Sequence, residues 1–286
     1  MLCHGRGRAR RLAFTILYLG LAALVCHTRQ ARGTSPTIHQ NASSDPAARK
    51  RQPHRAPPPK SRARELPSGP FVLDDREQQL HVLVYPPARD DSAKPITVML
   101  HGMCDTPENE CPYFADAVTP YSWLVCPAAR GRCSNGGSIW DQRYRHKTLE
   151  DSLHLVETHY PQHVAVDAPR TLIGFSLGGI FGMDVAHRGQ GRYERVILIG
   201  AKVYPDARLL EQAGVSKLIL AAGDYDMMSR HMKSVAHSTE RHGFPALFLS
   251  LGKVGHRFPD DLTERMTLAL KWTGNSGVAP LAPNAG

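Results

Sequence analysis

Gly174-Phe175-Ser176-Leu177-Gly178 forms a G-x-S-x-G pattern directly after the apolar tripeptide Thr171-Leu172-Ile173, and a helix-compatible stretch runs from Leu177 to His187. A serine on a tight strand-to-helix turn projects its hydroxyl above the sheet, and the flanking glycines let the backbone make that turn. The amide of Leu177 then points at the same place, with a helix N-terminus behind it, as a donor to a developing anion. The chemistry implied is nucleophilic attack by Ser176. The pentapeptide is short enough to arise by chance, so its partners decide its meaning.

A serine hydroxyl is a weak nucleophile near neutral pH and needs a base, usually a histidine oriented by a carboxylate. His256 follows the apolar run 247–251 on Gly252-Lys253-Val254-Gly255 and precedes a final helix; of the 15 histidines it alone occupies such a loop. His231 and His237 fall in a polar helical stretch and are expected to face solvent. His242 is expected at a helix end, where its charge suits the dipole. The carboxylate should follow the run 218–221, where Gly223-Asp224-Tyr225-Asp226 offers two candidates. Asp226, with its G-x-x-D placement, is preferred, and Asp224 is the alternative. A second anion-stabilising amide is expected from Met103, in His101-Gly102-Met103 after the run 96–100; an ordinary strand-end turn is the competing reading.

The elements that must position these groups alternate along the chain. Segments 71–73 and 79–85 read as a hairpin with its turn at Asp74-Asp75-Arg76. Near-continuous apolar runs then occur at 96–100, 123–126, 171–175, 196–199, 218–221 and 247–251, the pattern of parallel strands covered on both faces. Helical patterns lie between them at 108–118, 147–160, 177–188, 206–213, 226–242 and 260–272. The order predicts an α/β fold: one doubly wound, mostly parallel sheet with an antiparallel N-terminal hairpin. Open sheets of this kind place their sites beyond the carboxyl ends of the strands, where Ser176, Asp226 and His256 all fall.

The ordered set His101-Gly102, Gly174-Phe175-Ser176-Leu177-Gly178-Gly179, Gly223-x-x-Asp226 and Gly255-His256 resembles the α/β-hydrolase superfamily over about residues 71–273. The resemblance implies a Ser-His-Asp triad of Ser176, His256 and Asp226. It implies oxyanion amides from Met103 and Leu177, and an acyl-enzyme mechanism without metal or organic cofactor. Serine at 176 separates the chain from relatives with a cysteine or aspartate nucleophile. About 16 residues between Ile199 and the strand near Leu218 leave no room for a large cap, so the site should be open and esterase-like. Trp140-Asp141 is similar to a substrate-loop tryptophan of some carboxylesterases, with a packing role as the alternative. The expected substrate is a small-molecule or polymeric ester. A peptidase of the same fold and a catalytically silent surface-binding relative are the competing readings.

The net charge of +9 suggests nucleic acid or membrane until it is located. Residues 1–70 hold 13 Lys/Arg against Asp45 and Glu65, whereas residues 71–286 hold 22 basic against 24 acidic. The folded part is nearly neutral, which argues against a nucleic-acid groove. Arg6, Arg8, Arg10 and Arg11 precede an apolar run at 12–26, so residues 1–26 read as a signal peptide or signal anchor. Any membrane anchoring is confined to this N-terminal segment. Residues 27–69 are Pro- and Arg-rich and read as a disordered linker, 70–273 as the folded domain, and 274–286 as a flexible tail.

Export fits the cysteines. Cys104, Cys111, Cys126 and Cys133 lie within 30 residues and allow three pairings. Two local bridges, Cys104 with Cys111 and Cys126 with Cys133, are preferred. The spacings are too wide for the usual zinc pairs. Four free thiols would imply a reducing compartment.

Overall fold

In a computed structural model, residues 65–89, 91–189 and 192–274 are described. The leader 1–26, the linker up to residue 64 and the tail from residue 275 lie outside them. Leu66, at the end of the expected linker, packs against the core.

The chain runs β1 (Phe71–Asp75), β2 (Leu80–Tyr85), β3 (Ile96–Leu100), α1 (Pro107–Glu110), α2 (Pro112–Val118), β4 (Trp123–Pro127), β5 (Gly131–Arg132), β6 (Ser138–Ile139) and α3 (Arg145–His159). It continues through β7 (Arg170–Phe175), α4 (Leu177–Arg188), β8 (Tyr193–Ile199), α5 (Ala207–Gln212), β9 (Lys217–Ala222), α6 (Ser229–Arg241), β10 (Ala246–Ser250) and α7 (Leu262–Gly274). Eight strands form one sheet in the order β1-β2-β4-β3-β7-β8-β9-β10. The pairs β1–β2 and β2–β4 are antiparallel, and all later pairs are parallel.

Both faces of the sheet are covered, which is why its strands read as unbroken apolar runs. In β8, Val196 and Leu198 face one core while Ile197 and Ile199 face the other. β9 repeats the alternation, with Leu218 and Leu220 on the first side and Ile219 and Ala221 on the second. Leu149 and Leu153 of α3, Phe181 of α4 and Met232 of α6 complete the first core. Phe114 of α2 and Met266 and Trp272 of α7 complete the second.

Three details differ from the sequence reading. The first hairpin turns at residues 76–79, because Asp74 and Asp75 stay in β1 paired with His81 and Leu80. The helix expected over 108–118 is two helices that meet at Cys111, since Pro112 has no amide to continue the first. The loop after β4 holds the small antiparallel hairpin β5–β6, which has no apolar run to announce it.

Candidate active site

β7 ends at Phe175 and α4 begins at Leu177, so Ser176 is the single residue of the turn. Its backbone has φ 53° and ψ −116°, a conformation that costs energy for any residue with a side chain. The turn is held on both sides. The Ser176 amide donates to the Ile199 carbonyl at 2.8 Å, and its carbonyl accepts from the amides of Gly179 and Ile180. A Cβ at Gly178 would lie 2.1 Å from the Leu100 carbonyl oxygen, so only glycine lets the helix start this close to β3.

The three expected side chains meet above this turn. Ser176 Oγ lies 2.9 Å from His256 Nε2, and His256 Nδ1 lies 2.7 Å from Asp226 Oδ2. The Nδ1–H donates to the carboxylate, leaving the Nε2 lone pair to face the serine hydroxyl. Asp226 Oδ1 accepts from the Met228 amide at 2.8 Å, which fixes the carboxylate on the loop after β9. The Asp226 side chain is 2% exposed whereas that of His256 is 44% exposed, so the acid is sealed in and the base faces the open side. Asp224 does different work: it is exposed, and its Oδ1 accepts from the Ser250 hydroxyl at 2.6 Å, bracing the end of β10.

Two residues that motif reading missed fix the imidazole. The Phe175 ring stacks on His256 with centroids 4.9 Å apart. Gly200, at φ +58°, also lies against the ring: a Cβ there would sit 2.9 Å from His256 Cε1 and 3.0 Å from Asp226 Oδ2. The only sequence signal for Gly200 is a glycine directly after an apolar strand, which is common. His231, expected in solvent, is half-buried instead, with Nε2 2.9 Å from the Val203 carbonyl and its ring edge-on to Tyr204. His237 is exposed and His242 caps the end of α6, as expected.

The loop after β3 carries Met103, whose side chain is exposed. Among the described residues, neither the Met103 amide nor the Leu177 amide donates to a protein acceptor, so both are free for a substrate oxygen. The loop is braced by His101, which is buried. Its Nδ1 donates to the Gly102 carbonyl at 2.8 Å, and its Nε2 accepts from the Ala129 amide at 3.2 Å and faces the Ser138 hydroxyl at 3.0 Å. Burial pushes the His101 pKa down, which keeps the ring neutral and suits this pattern of one donor and one acceptor. Trp140 packs against the His101 ring, and its Nε1–H donates to the His101 carbonyl at 2.9 Å. With its side chain buried, Trp140 is a packing residue behind the loop, not a substrate-loop residue.

The cysteines pair differently from the local bridges expected. The disulfides are Cys104–Cys133 and Cys111–Cys126, with Cα–Cα distances of 5.5 and 6.3 Å. The β5–β6 hairpin causes the first: Ser138 bridges to Asp105, which brings Cys133 beside Cys104 rather than Cys126. Cys111 and Cys126 are buried where the junction of α1 and α2 lies on β4. Cys104 directly follows Met103, so the first disulfide anchors the candidate oxyanion loop. Among the described residues, no group of three or more His, Cys, Asp or Glu side chains is arranged to hold a metal ion.

An open cleft of about 690 Å³ lies beside His256, with Asp105, Tyr113, Phe175 and Phe258 among its walls. Phe258 packs on Phe175, Tyr113 and Phe114, giving this side an aromatic wall. Between β8 and β9 the six-residue α5 is the only helix, and no cap domain stands over the serine among the described residues.

No protein-family model matches the sequence, and no curated protein does either. Solved structures do match. The esterase PE8 superposes with a TM-score of 0.53 at 19% identity, covering 66% of this chain and 97% of its own. The chain has the α/β-hydrolase fold. A ferulic acid esterase matches with a TM-score of 0.53 at 17% identity over 71% of this chain and 94% of its own. An S-formylglutathione hydrolase from Agrobacterium tumefaciens matches with a TM-score of 0.54 at 15% identity, over 73% and 96% respectively. In this fold the loops after β3, β7, β9 and β10 share one edge of the sheet, and these loops carry Met103, Ser176, Asp226 and His256.

Proposed function

We propose that the protein is an exported serine hydrolase that cleaves carboxylic esters, thioesters included, through Ser176, His256 and Asp226. The observation that carries this reading is the unbroken chain of hydrogen bonds from Asp226 through His256 to Ser176, at 2.7 and 2.9 Å, ending on a serine with positive φ. Ser176 attacks the ester carbonyl carbon while its proton passes to His256 Nε2. The carbonyl oxygen, now an anion, is held by the Met103 and Leu177 amides; one such donor is typically worth ~3 kcal/mol in the transition state. Collapse of the intermediate expels the alcohol or thiol, which takes the proton from His256 and leaves an acyl group on Ser176. A water then gives a proton to His256 and attacks the acyl carbon, releasing the acid and restoring the serine. Asp226, sealed from solvent, stabilises the imidazolium at both stages.

The open cleft supports a small-molecule or polymeric ester as substrate. Export rests on the two disulfides, which persist in oxidising compartments, and on the basic and apolar leader, which lies outside the described residues. Among the described residues, no helix is long and apolar enough to cross a membrane.

The test is hydrolysis of p-nitrophenyl acetate, butyrate and thioacetate by the oxidised protein. Turnover that Ser176→Ala removes supports the reading. A folded protein with no turnover on any of the three, or equal turnover by Ser176→Ala, would refute it.

A further inference from the structure

Two carboxyl groups are buried among the described residues, Asp226 and Glu110. The first is explained by His256. The second takes no part in the steps above, yet it lies under the same site. Glu110 ends α1 and its carboxyl faces the Gly102 amide, which lies 3.0 Å from Oε2 and 3.2 Å from Oε1. Gly102 immediately precedes Met103. A Cβ at position 102 would stand 3.0 Å from Glu110 Oε1 and 3.2 Å from Phe175 Cδ1, so the glycine is what lets the carboxyl reach the backbone. The next residue, Cys111, is tied to β4 through Cys126, so the helix end that carries Glu110 is itself anchored.

We propose that Glu110 is a positioning residue, whose carboxyl holds the Gly102 amide so that the following Met103 amide stays aimed at the substrate oxygen. The proposal rests on the ester-hydrolase reading and adds a residue to it. Burial raises the Glu110 pKa to about 8, outweighing the Gly102 bond, and the neighbouring Asp105 pushes the same way. Asp105 is held below its usual range: partial burial opposes this, but the Asn109 amide, the Thr106 amide and Glu110 itself outweigh it. The pair therefore shares one proton near neutral pH, carried by Glu110 and hydrogen-bonded to Asp105. His101, on the same loop, is neutral, and His256, Arg257 and Asp260 face the cleft from the β10–α7 loop. When Glu110 ionises, a second negative charge appears beside Asp105 under the oxyanion loop. That charge opposes the negative charge that must develop above it.

Glutamine mimics the protonated acid, accepting from Gly102 through its oxygen and donating to Asp105 through its amide. The experiment compares the full-length oxidised protein with Glu110→Gln and Glu110→Ala. It reads kcat and KM for p-nitrophenyl acetate from about pH 6 to about pH 10, and amide exchange of the segment 101–106. Glu110→Gln should keep kcat near neutral pH within about threefold and lose the fall in kcat that the parent protein shows above about pH 8. Glu110→Ala should lower kcat ten- to a hundredfold, roughly, with KM little changed, and should speed exchange at Gly102. The same alkaline fall in parent and Glu110→Gln would overturn the proposal. So would unchanged kcat and exchange in a folded Glu110→Ala. If Glu110→Ala does not fold, the Glu110→Gln profile still decides. A parent protein without turnover, whose loop nonetheless loosens in Glu110→Ala, would leave the anchoring intact and refute the ester-hydrolase reading instead.

Discussion

Asp226 Oδ2 lies 2.7 Å from His256 Nδ1, while Asp224, two residues earlier, is turned away to accept from Ser250. Of the two carboxylates in Gly223-Asp224-Tyr225-Asp226, only that of Asp226 is buried. Asp226→Asn should therefore lower kcat by on the order of 10⁴, because an amide no longer holds the imidazole in the required tautomer. Asp224→Asn should change kcat by less than about threefold, the effect expected of an exposed hydrogen bond. Parallel steady-state kinetics on the two variants check both; a larger loss from Asp224→Asn would show the acid misassigned.

Gly200 has no polar group to offer, yet it is predicted to matter nearly as much. Alanine there combines φ +58° with a Cβ within 3.0 Å of both His256 and Asp226. The imidazole must shift, and misplacement by a fraction of an ångström to one ångström typically costs about 10² in rate. Gly200→Ala should show that loss in kcat with KM little changed.

Trp140→Phe keeps the ring behind the candidate oxyanion loop but removes the donor to the His101 carbonyl. A buried carbonyl left unpaired costs ~1–3 kcal/mol. The variant should lose stability by that amount in denaturant unfolding and lose roughly tenfold in kcat as the loop loosens. An unchanged kcat would show that the loop is held without Trp140.

Peptide mapping without reduction should recover Cys104 linked to Cys133 and Cys111 linked to Cys126. Each bridge closes a loop of 29 or 15 residues, for which ~3 kcal/mol of stabilisation is expected. The double serine variant at 104 and 133 should affect kcat more than the variant at 111 and 126, since Cys104 adjoins Met103. The buried pair should affect stability more.

Glu110 also makes stability depend on pH. Its ordinary value is 4.5 and the folded value is about 8, so the native state keeps a proton that the unfolded chain releases. The sign follows: stability falls as pH rises from about 4.5 to about 8 and levels off above that, by on the order of 5 kcal/mol in total. Glu110→Gln should remove this slope. Urea unfolding of both proteins at about pH 5, 6.5 and 8.5 measures the difference.

The strands were legible because a sheet covered on both faces leaves no polar alternation to interrupt runs such as 218–221, which β9 extends by one residue at each end. Ser176, Asp226 and His256 were legible because each follows such a run, on a loop marked by glycine. The cysteine pairing was not, because it depends on β5 and β6, two-residue strands with no periodicity to detect. The roles of Phe175, Gly200 and Glu110 escaped for a related reason. Each acts through a neighbour distant in the chain or through a ring face, and neither relation leaves a spacing in the sequence. The split of 108–118 is different: Pro112 stood in the sequence and was overridden by the helical pattern around it.

The most direct test of the account is the identity of the nucleophile. The oxidised protein is treated with a fluorophosphonate, digested, and its adduct mapped by mass spectrometry, alongside the same treatment of Ser176→Ala and His256→Ala. The account predicts one phosphonate on Ser176, none on Ser176→Ala, and labelling slowed by orders of magnitude in His256→Ala. No adduct on the folded parent protein, or an adduct at another residue that persists in Ser176→Ala, would contradict it.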